Sequence, residues 1–215
     1  MAAKILIVDD HPAICEGLAV RISSQPDLEV CGQAPDTAEA MKLVKAARPD
    51  VVVVDIQLKT GNGLDLIQRI KAHDESIRIL VWSMFPDAMY AERALRAGAL
   101  GYINKQNTTD DIVDGIRSVR DGKVYLCGET ANRLLGQVVG GGSRRKASGV
   151  ESLSDRELEV FRLVGQGLST AQIAGQFHRS SHTVEAHRQA IRRKLNLKTA
   201  SELNRAAAQW VLENG

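Results

Sequence analysis

The sequence predicts two domains, an α/β domain with a doubly wound, five-stranded parallel sheet and then an all-α domain of four short helices. Apolar runs alternate with helical patterns five times between residues 4 and 120, which is typical of βαβ units with right-handed crossovers. The distribution of charged residues also changes between the two predicted domains. Residues 143–215 hold 12 Lys and Arg against 7 Asp and Glu, net +5, and the remainder holds 16 against 19, net −3. The domains therefore have different partners, and the basic one is the candidate for nucleic acid.

Each strand of the first domain is a short aliphatic run bounded by turn residues. The predicted strands are Lys4–Val8, Leu28–Gly32, Val51–Asp55, Ile77–Trp82 and Leu100–Asn104. The predicted helices are Pro12–Ser24, Thr37–Ala47, a helix containing Leu64 to Ile70, Ala88–Ala97 and Thr108–Arg120. Four consecutive valines in the third strand are typical of a strand buried on both faces, at the centre of a sheet.

Composition excludes several classes of protein. Hydrophobic residues at 44% and charged residues at 25% are typical of a globular protein. No apolar run approaches the roughly 20 residues that span a membrane, and the first run is too short for a secretory signal. We expect a cytoplasmic protein without a membrane partner, in which Cys15, Cys31 and Cys127 are reduced core residues.

Polar side chains follow four of the predicted strands. Asp9 and Asp10 follow the first, Asp55 the third, Ser83 the fourth and Lys105 the fifth. Any one of them could simply end its strand, but the carboxyl ends of parallel strands meet at one edge of a sheet, where ligands bind. Converging carboxylates need a cation, and hard oxygen ligands favour Mg²⁺. The hydroxyl of Ser83 and the ammonium of Lys105 would bind phosphoryl oxygens, so the pattern indicates phosphoryl transfer.

These residues, with Gly101 to Lys105, resemble the receiver domain of two-component response regulators from about residue 4 to 121. The resemblance implies a CheY-like (flavodoxin-like) fold in which Asp55 is phosphorylated by a sensor histidine kinase. It implies that Mg²⁺ is held by Asp9, Asp10, Asp55 and the backbone carbonyl of Gln57. It also implies switch roles for Ser83, Lys105 and Tyr102. The chain departs from the family at Lys59 and Gln106, where proline is usual, and this concerns loop shape rather than charge.

A linker is predicted at residues 123–150. Its first part carries a short helical pattern that starts near Glu129 and ends near Val139. Glycines at 140–142 and the basic triplet 144–146 are typical of a flexible, solvated segment. This places the receiver domain at residues 1–122 and the second domain at 151–215.

Cap residues define the four helices of the second domain. Ser154 with Glu157 forms a capping box for the first, Ser169 or Thr170 caps the second, and Ser181 caps a third that runs to about Leu195. The fourth helix is predicted at Ala200–Leu212. A tight turn between the second and third helices indicates a helix-turn-helix.

The third helix has two distinct faces. An inward stripe recurs at helical spacing and consists of Val184, His187 (or Arg188), Ile191 and Leu195. The opposite face carries amide and guanidinium groups, which suit base edges and phosphates in the major groove of DNA. A solvated surface helix is the simpler alternative, and a metal site at His178, His182 and His187 is a remote one because it has no Cys or carboxylate partner.

Residues 150–213 resemble the LuxR-type DNA-binding domain through Leu153 to Glu157, Gly167 to Ala174, Thr183 to His187 and Lys194-Leu195. The whole chain is thus similar to NarL/FixJ-type response regulators. The resemblance implies DNA contacts by Thr183, Glu185, Ala186, Arg188, Gln189, Arg192, Arg193 and Lys194. It implies that Leu203, Ala207 and Trp210 pair two domains in a homodimer. Arg179 replaces the usual aliphatic residue of the turn.

We therefore expect a transcription regulator that binds operator DNA under the control of phosphorylation at Asp55. We expect no enzymatic activity beyond phosphoryl transfer at that residue. Two alternatives stay open: a constitutive DNA-binding regulator whose receiver serves only for dimerisation, and an aspartyl-phosphate hydrolase. The hydrolase is disfavoured because such enzymes place a second Asp where this chain has Gln57.

Overall fold

A computed structural model of the chain describes residues 2–58, 60–106, 109–139, 149–177 and 179–214. Lys59, Thr108, the basic triplet 144–146 and His178, all noted in the sequence, lie outside the described residues. The chain divides into two compact units, which are Met1–Gly136 and Gln137–Gly215. Each is described by itself.

The first unit is a five-stranded parallel sheet with helices in the connections. The strands are β1 (Ala3–Val8), β2 (Leu28–Ala34), β3 (Val51–Val54), β4 (Arg78–Ser83) and β5 (Gly101–Asn104). The helices are α1 (Pro12–Ser23), α2 (Thr37–Ala47), α3 (Gly63–His73), α4 (Asp87–Ala97), α5 (Thr109–Arg120) and α6 (Gly128–Val139). The strand order β2-β1-β3-β4-β5 confirms the predicted doubly wound sheet. All four valines of β3 are buried, as expected for its central position.

Three strands end differently from their predictions, and of these β4 continues to Ser83, one residue beyond the predicted Trp82. β2 continues to Ala34, because its pairing with β1 resumes after a register shift and includes Val8 with Ala34. β3 ends at Val54, so Asp55 is the first residue of the following loop, where its N–H still donates to the carbonyl of Val8 at 2.8 Å. The carboxyl end of the central strand thus fixes the backbone of Asp55.

Residues beyond α5 extend the sheet. Tyr125 N–H donates to the carbonyl of Leu100 at 3.0 Å, and its own carbonyl accepts from Tyr102 N–H at 3.0 Å. This short parallel bridge covers the outer edge of β5, and α6 follows it. The early part of the predicted linker is therefore folded, and the short helix expected there is present.

The second unit contains a 3-10 turn (Gly149–Ser152) and the helices α7 (Asp155–Gly165), α8 (Thr170–Gln176), α9 (Ser181–Lys194) and α10 (Ala200–Asn214). Ser154 and Glu157 form the predicted capping box of α7, and Ser169 caps α8 with Gln172 as its partner. The cap of α9 is Ser180 rather than the predicted Ser181, because the Ser180 side chain accepts the Thr183 N–H. The predicted four-helix order is confirmed.

Candidate functional site

Asp55 is buried where β3 ends, with a donor on each of its carboxylate oxygens. Ser83, the last residue of β4, donates its hydroxyl to Asp55 Oδ1 at 2.6 Å. Lys105, directly after β5, donates its ammonium to Asp55 Oδ2 at 2.6 Å. Burial raises the pKa of Asp55, and the charge and hydrogen bonds of Lys105 and Ser83 act against that shift. The structure thus brings together three side chains that the sequence placed at three strand ends.

Lys105 also binds a second carboxylate. Its Nζ lies 2.5 Å from Asp9 Oδ2, and its side chain is only 4% exposed. The Nζ also lies 5.4 Å from the centre of the Trp82 ring. Burial disfavours the ammonium, but Asp55 and Asp9 outweigh it and raise the pKa of Lys105. The ammonium is therefore charged and connects β1 to β3 through their end carboxylates.

The acidic residues after β1 provide oxygen atoms for a cation. Ligand atoms of Asp9, His11 and Asp55 all lie within 4.8 Å of one another. Among the residues that the structure describes, Asp10 Oδ1 is buried without a hydrogen bond, although His11 Nδ1 lies 2.9 Å away. Asp10 is not part of the cluster formed by Asp9, His11 and Asp55, but a buried carboxylate oxygen that lacks a hydrogen bond suits a hard divalent cation. The sequence did not single out His11 as a ligand; its position after Asp9-Asp10 was the available signal.

Gln57 lies close to the same carboxylate. Its N–H donates to Asp55 Oδ1 at 3.2 Å, and it forms a bridge with Asn62 across the loop. Gly63 permits this loop, since a Cβ there would lie 2.2 Å from the Asp55 carbonyl. The role of the Gln57 carbonyl as a metal ligand stays a prediction.

Tyr102 is buried on β5 and contacts the loop after β4. Its hydroxyl donates to the carbonyl of Phe85 at 2.8 Å, and burial raises its pKa well above the ordinary value. Phe85 in turn stacks on Tyr90 with ring centres 4.6 Å apart. Tyr102 thus holds the loop that follows Ser83, while the Asp55 carboxylate itself is contacted by Ser83 and Lys105.

The helix-turn-helix of the second unit is formed by α8 and α9. Val184 and Ile191 are buried, as predicted for the inward stripe of α9, whereas His187, Arg188 and the C-cap residue Leu195 are half-buried. The predicted DNA-contacting residues are exposed at Thr183, Ala186, Gln189, Arg193 and Lys194 and half-buried at Glu185, Arg188 and Arg192. The guanidinium of Arg156 stacks 3.4 Å from the centre of the Phe177 ring, which ties α7 to the end of α8.

Two of the predicted phosphate contacts are engaged within the unit. Lys194 Nζ donates to Glu157 Oε2 at 2.6 Å, and Arg188 donates to Asn204 Oδ1 at 3.1 Å. The Arg188 side chain is only 11% exposed and lies 3.6 Å from Glu185. Both side chains therefore position α9 in this structure, and their contacts with DNA stay predictions.

The prediction that Leu203, Ala207 and Trp210 pair two domains needs correction. Leu203 and Ala207 are fully buried within the unit, and Trp210 is 8% exposed with its ring 5.9 Å from that of Phe161. Their stripe packs α10 against α7 because both helices present small or apolar residues there. These side chains are core residues, and a dimer would need other residues.

Comparisons with known proteins agree with both units. The family described as response regulator receiver domain matches residues 5–117, and the family described as bacterial regulatory proteins, luxR family, matches residues 151–207. Oxygen regulatory protein NreC of Staphylococcus epidermidis is 34% identical over 205 residues, covering 93% of this chain and 94% of that protein. NreC of Staphylococcus carnosus is 33% identical over 204 residues, with the same two coverages of 93% and 94%.

Solved structures show the same architecture. RcsB from Salmonella enterica serovar Typhimurium bound to promoter rprA has a TM-score of 0.70 at 24% identity, covering 97% of this chain and 99% of that one. A LuxR-family response regulator from Aurantimonas sp. has a TM-score of 0.60 at 31% identity, covering 65% and 99%. The chain belongs to the NarL/FixJ-type two-component response regulators, with a receiver domain followed by a LuxR-type DNA-binding domain. No helix among the described residues is long and apolar enough to cross a membrane.

Proposed function

We propose that Asp55 accepts a phosphoryl group from a sensor histidine kinase and that this event controls binding of operator DNA by a homodimer. The observation that carries the proposal is the buried Asp55 carboxylate, with the Ser83 hydroxyl and the Lys105 ammonium each 2.6 Å from one of its oxygens. Phosphoryl transfer depends mainly on positioning and charge neutralisation, and these donors supply both.

The chemistry requires little from the protein beyond this geometry. A carboxylate oxygen of Asp55 attacks the phosphorus of the kinase phosphohistidine. A P–O bond forms, the P–N bond breaks, and its electron pair passes to the imidazole nitrogen, which takes up a proton. Attack by water later releases inorganic phosphate and restores the carboxylate. We propose that these are the only reactions that the chain performs.

Charge balance explains why a cation would be needed. Asp9, Asp10 and Asp55 bring three carboxylates against the single ammonium of Lys105, and a phosphoryl group adds about −1.5 to −2. Asp9, Asp10, Asp55 and the Gln57 carbonyl would hold Mg²⁺, with Asp10 Oδ1 as an acceptor that lacks a hydrogen bond to any described residue. When bound, Mg²⁺ supplies positive charge to the phosphoryl oxygens.

The outer face of α9 supports the DNA-binding half of the proposal. Glu185, Ala186 and Gln189 would face base edges, and the basic residues with Thr183 would hold phosphates and set the register. RcsB, which shares the fold, has been solved as dimers bound to DNA. Because Leu203, Ala207 and Trp210 of α10 are buried in this chain, a homodimer would have to form through other residues.

Intact mass measurement after acetyl phosphate and Mg²⁺ tests the acceptor, with Asp55→Asn as the control. We expect one added phosphoryl group on the wild type, no addition on the variant, and tighter binding to an operator library by the phosphorylated protein. Absence of an adduct, with a cognate kinase as well, would refute the proposal. An adduct without a change in DNA affinity would instead support a constitutive regulator.

A further inference from the structure

Two side chains of β5 donate hydrogen bonds to the loop that follows β4, and one of them also accepts a hydrogen bond from the loop that follows β5. The backbone N–H of Gln106 donates to Asn104 Oδ1 at 2.8 Å. Asn104 Nδ2 then donates to the carbonyl of Phe85 at 3.0 Å. The same carbonyl accepts the Tyr102 hydroxyl at 2.8 Å. The Asn104 side chain thus connects the loop that contains Lys105 to the loop that follows Ser83.

The orientation of the Asn104 amide follows from its partners. A backbone N–H can only donate, so the amide oxygen must face Gln106, and the NH₂ group is left to face the Phe85 carbonyl. Proline, the usual residue at position 106 in similar receivers, has no N–H and could not orient the amide. The departure at Gln106 therefore supplies a hydrogen bond rather than merely changing the shape of the loop.

We propose that Asn104 is a positioning residue for the phosphoryl chemistry of Asp55 and that the N–H of Gln106 orients it. Ser83 is the last residue of β4, Phe85 lies two residues further on in the loop that follows, and Asn104 immediately precedes Lys105. The backbone N–H of Lys105 donates to the carbonyl of Ser83 at 2.8 Å and sets the register of the two donors. By holding the Phe85 carbonyl, Asn104 fixes the loop directly beyond Ser83, so that both donors stay pointed at Asp55. This inference rests on the proposed acceptor role of Asp55.

Removal of the hydrogen bond from Asn104 to the Phe85 carbonyl should slow phosphorylation of Asp55. One net hydrogen bond corresponds to a factor of about two to ten in the population of the arrangement that it stabilises. We expect Asn104→Ala to lower the rate constant of Asp55 phosphorylation by acetyl phosphate by about that factor. Asn104→Asp keeps the acceptor for Gln106 but lacks the donor for Phe85, so it should be slowed by a similar factor.

A double-mutant cycle tests whether Gln106 acts through Asn104. Gln106→Pro removes the N–H, and Gln106→Ala keeps it and serves as the matched control. We expect Gln106→Pro to slow phosphorylation in the wild-type background and to have no further effect in the Asn104→Ala background. An equal effect of Gln106→Pro in both backgrounds would show that it acts independently of Asn104.

Hydrogen exchange of residues 84–90, followed by mass spectrometry without acetyl phosphate, gives a second measurement that does not depend on phosphorylation. Exchange should be faster in Asn104→Ala and Asn104→Asp and unchanged in Gln106→Ala. If the wild type acquires a phosphoryl group and the Asn104 variants match it in rate and exchange, the positioning role is overturned alone. If the wild type acquires none from acetyl phosphate or from a cognate kinase, the acceptor role fails, and exchange still shows whether Asn104 holds the loop. If Gln106→Pro does not fold, the phosphorylation rate and hydrogen exchange of Asn104→Asp decide whether Asn104 has the positioning role.

Discussion

Gly165, the last residue of α7, lies directly against the backbone of α10. A Cβ at this position would be 2.3 Å from the carbonyl oxygen of Ala207 and 2.6 Å from Cγ2 of Val211. The first of these atoms belongs to the backbone and cannot rotate away. Substitution by alanine would therefore force α7 and α10 apart, along the contact that buries Leu203 and Ala207.

Two effects of opposite sign compete in Gly165→Ala. Alanine is favoured over glycine within a helix by about 0.8–1.0 kcal/mol, and less at its last residue. Overpacking of a tight contact costs about 1–3 kcal/mol. We expect a net decrease of about 1–2 kcal/mol in the free energy of unfolding of the second unit. Gly175 in α8 is the matched control, because a Cβ there meets no atom within 4 Å and alanine should stabilise by up to about 1 kcal/mol.

Urea denaturation of the full chain, followed by Trp210 fluorescence, measures both effects. The chain has two tryptophans, so a Trp82→Phe background leaves Trp210 as the only reporter, and it packs beside Phe161 in the second unit. Gly165→Ala should unfold at lower urea than the background and Gly175→Ala at higher urea. If the two variants are equally stable, the close approach of α7 and α10 is refuted.

Three further predictions concern burial and charge. Leu203→Ala should lower the free energy of unfolding by about 2–4 kcal/mol at every protein concentration, as a core residue does, whereas an interface residue would show a concentration dependence in the same denaturation assay. Burial alone would raise the pKa of Glu157, but hydrogen bonds from Lys194 and from a backbone N–H hold this pKa below its ordinary value. Glu157→Gln should therefore destabilise by about 1 kcal/mol at pH 7, and the difference from wild type should shrink as pH falls below the ordinary pKa of a glutamate and vanish below the lowered pKa of Glu157. The Arg117 guanidinium likewise lowers the pKa of Asp27, so Asp27→Asn should reduce the thermal midpoint at neutral pH but not in strong acid.

The sequence was sufficient to predict the sheet and the central carboxylate. Val51 to Val54 could only be a buried strand, and a parallel sheet brings its end beside the ends of its neighbours. The contacts of Asp55 with Ser83 and Lys105 follow from that alignment. The contact between Lys105 and Asp9 could not be predicted in this way, because it depends on the direction of a long side chain rather than on strand order.

The resemblance to the LuxR-type domain implied that Leu203, Ala207 and Trp210 pair two domains, whereas the structure buries all three. A stripe of apolar residues at helical spacing shows that one face of a helix is covered, but it does not show what covers it. In α10 that cover is α7 of the same unit, where Gly165 lies against the backbone of Ala207. Asn104 was missed for a related reason, since its amide bridges two loops that only the folded sheet brings together.

Glu157 shows how a local signal can have a wider role. The sequence identified it as the acid of a capping box, and its Oε2 does accept the Ser154 N–H at 2.7 Å. The same oxygen accepts Lys194 Nζ at 2.6 Å, so the start of α7 is tied to the end of α9. A DNA phosphate that attracted Lys194 would have to compete with this buried carboxylate. The orientation of α9 within its own unit therefore depends on a residue whose sequence pattern indicated only the beginning of another helix.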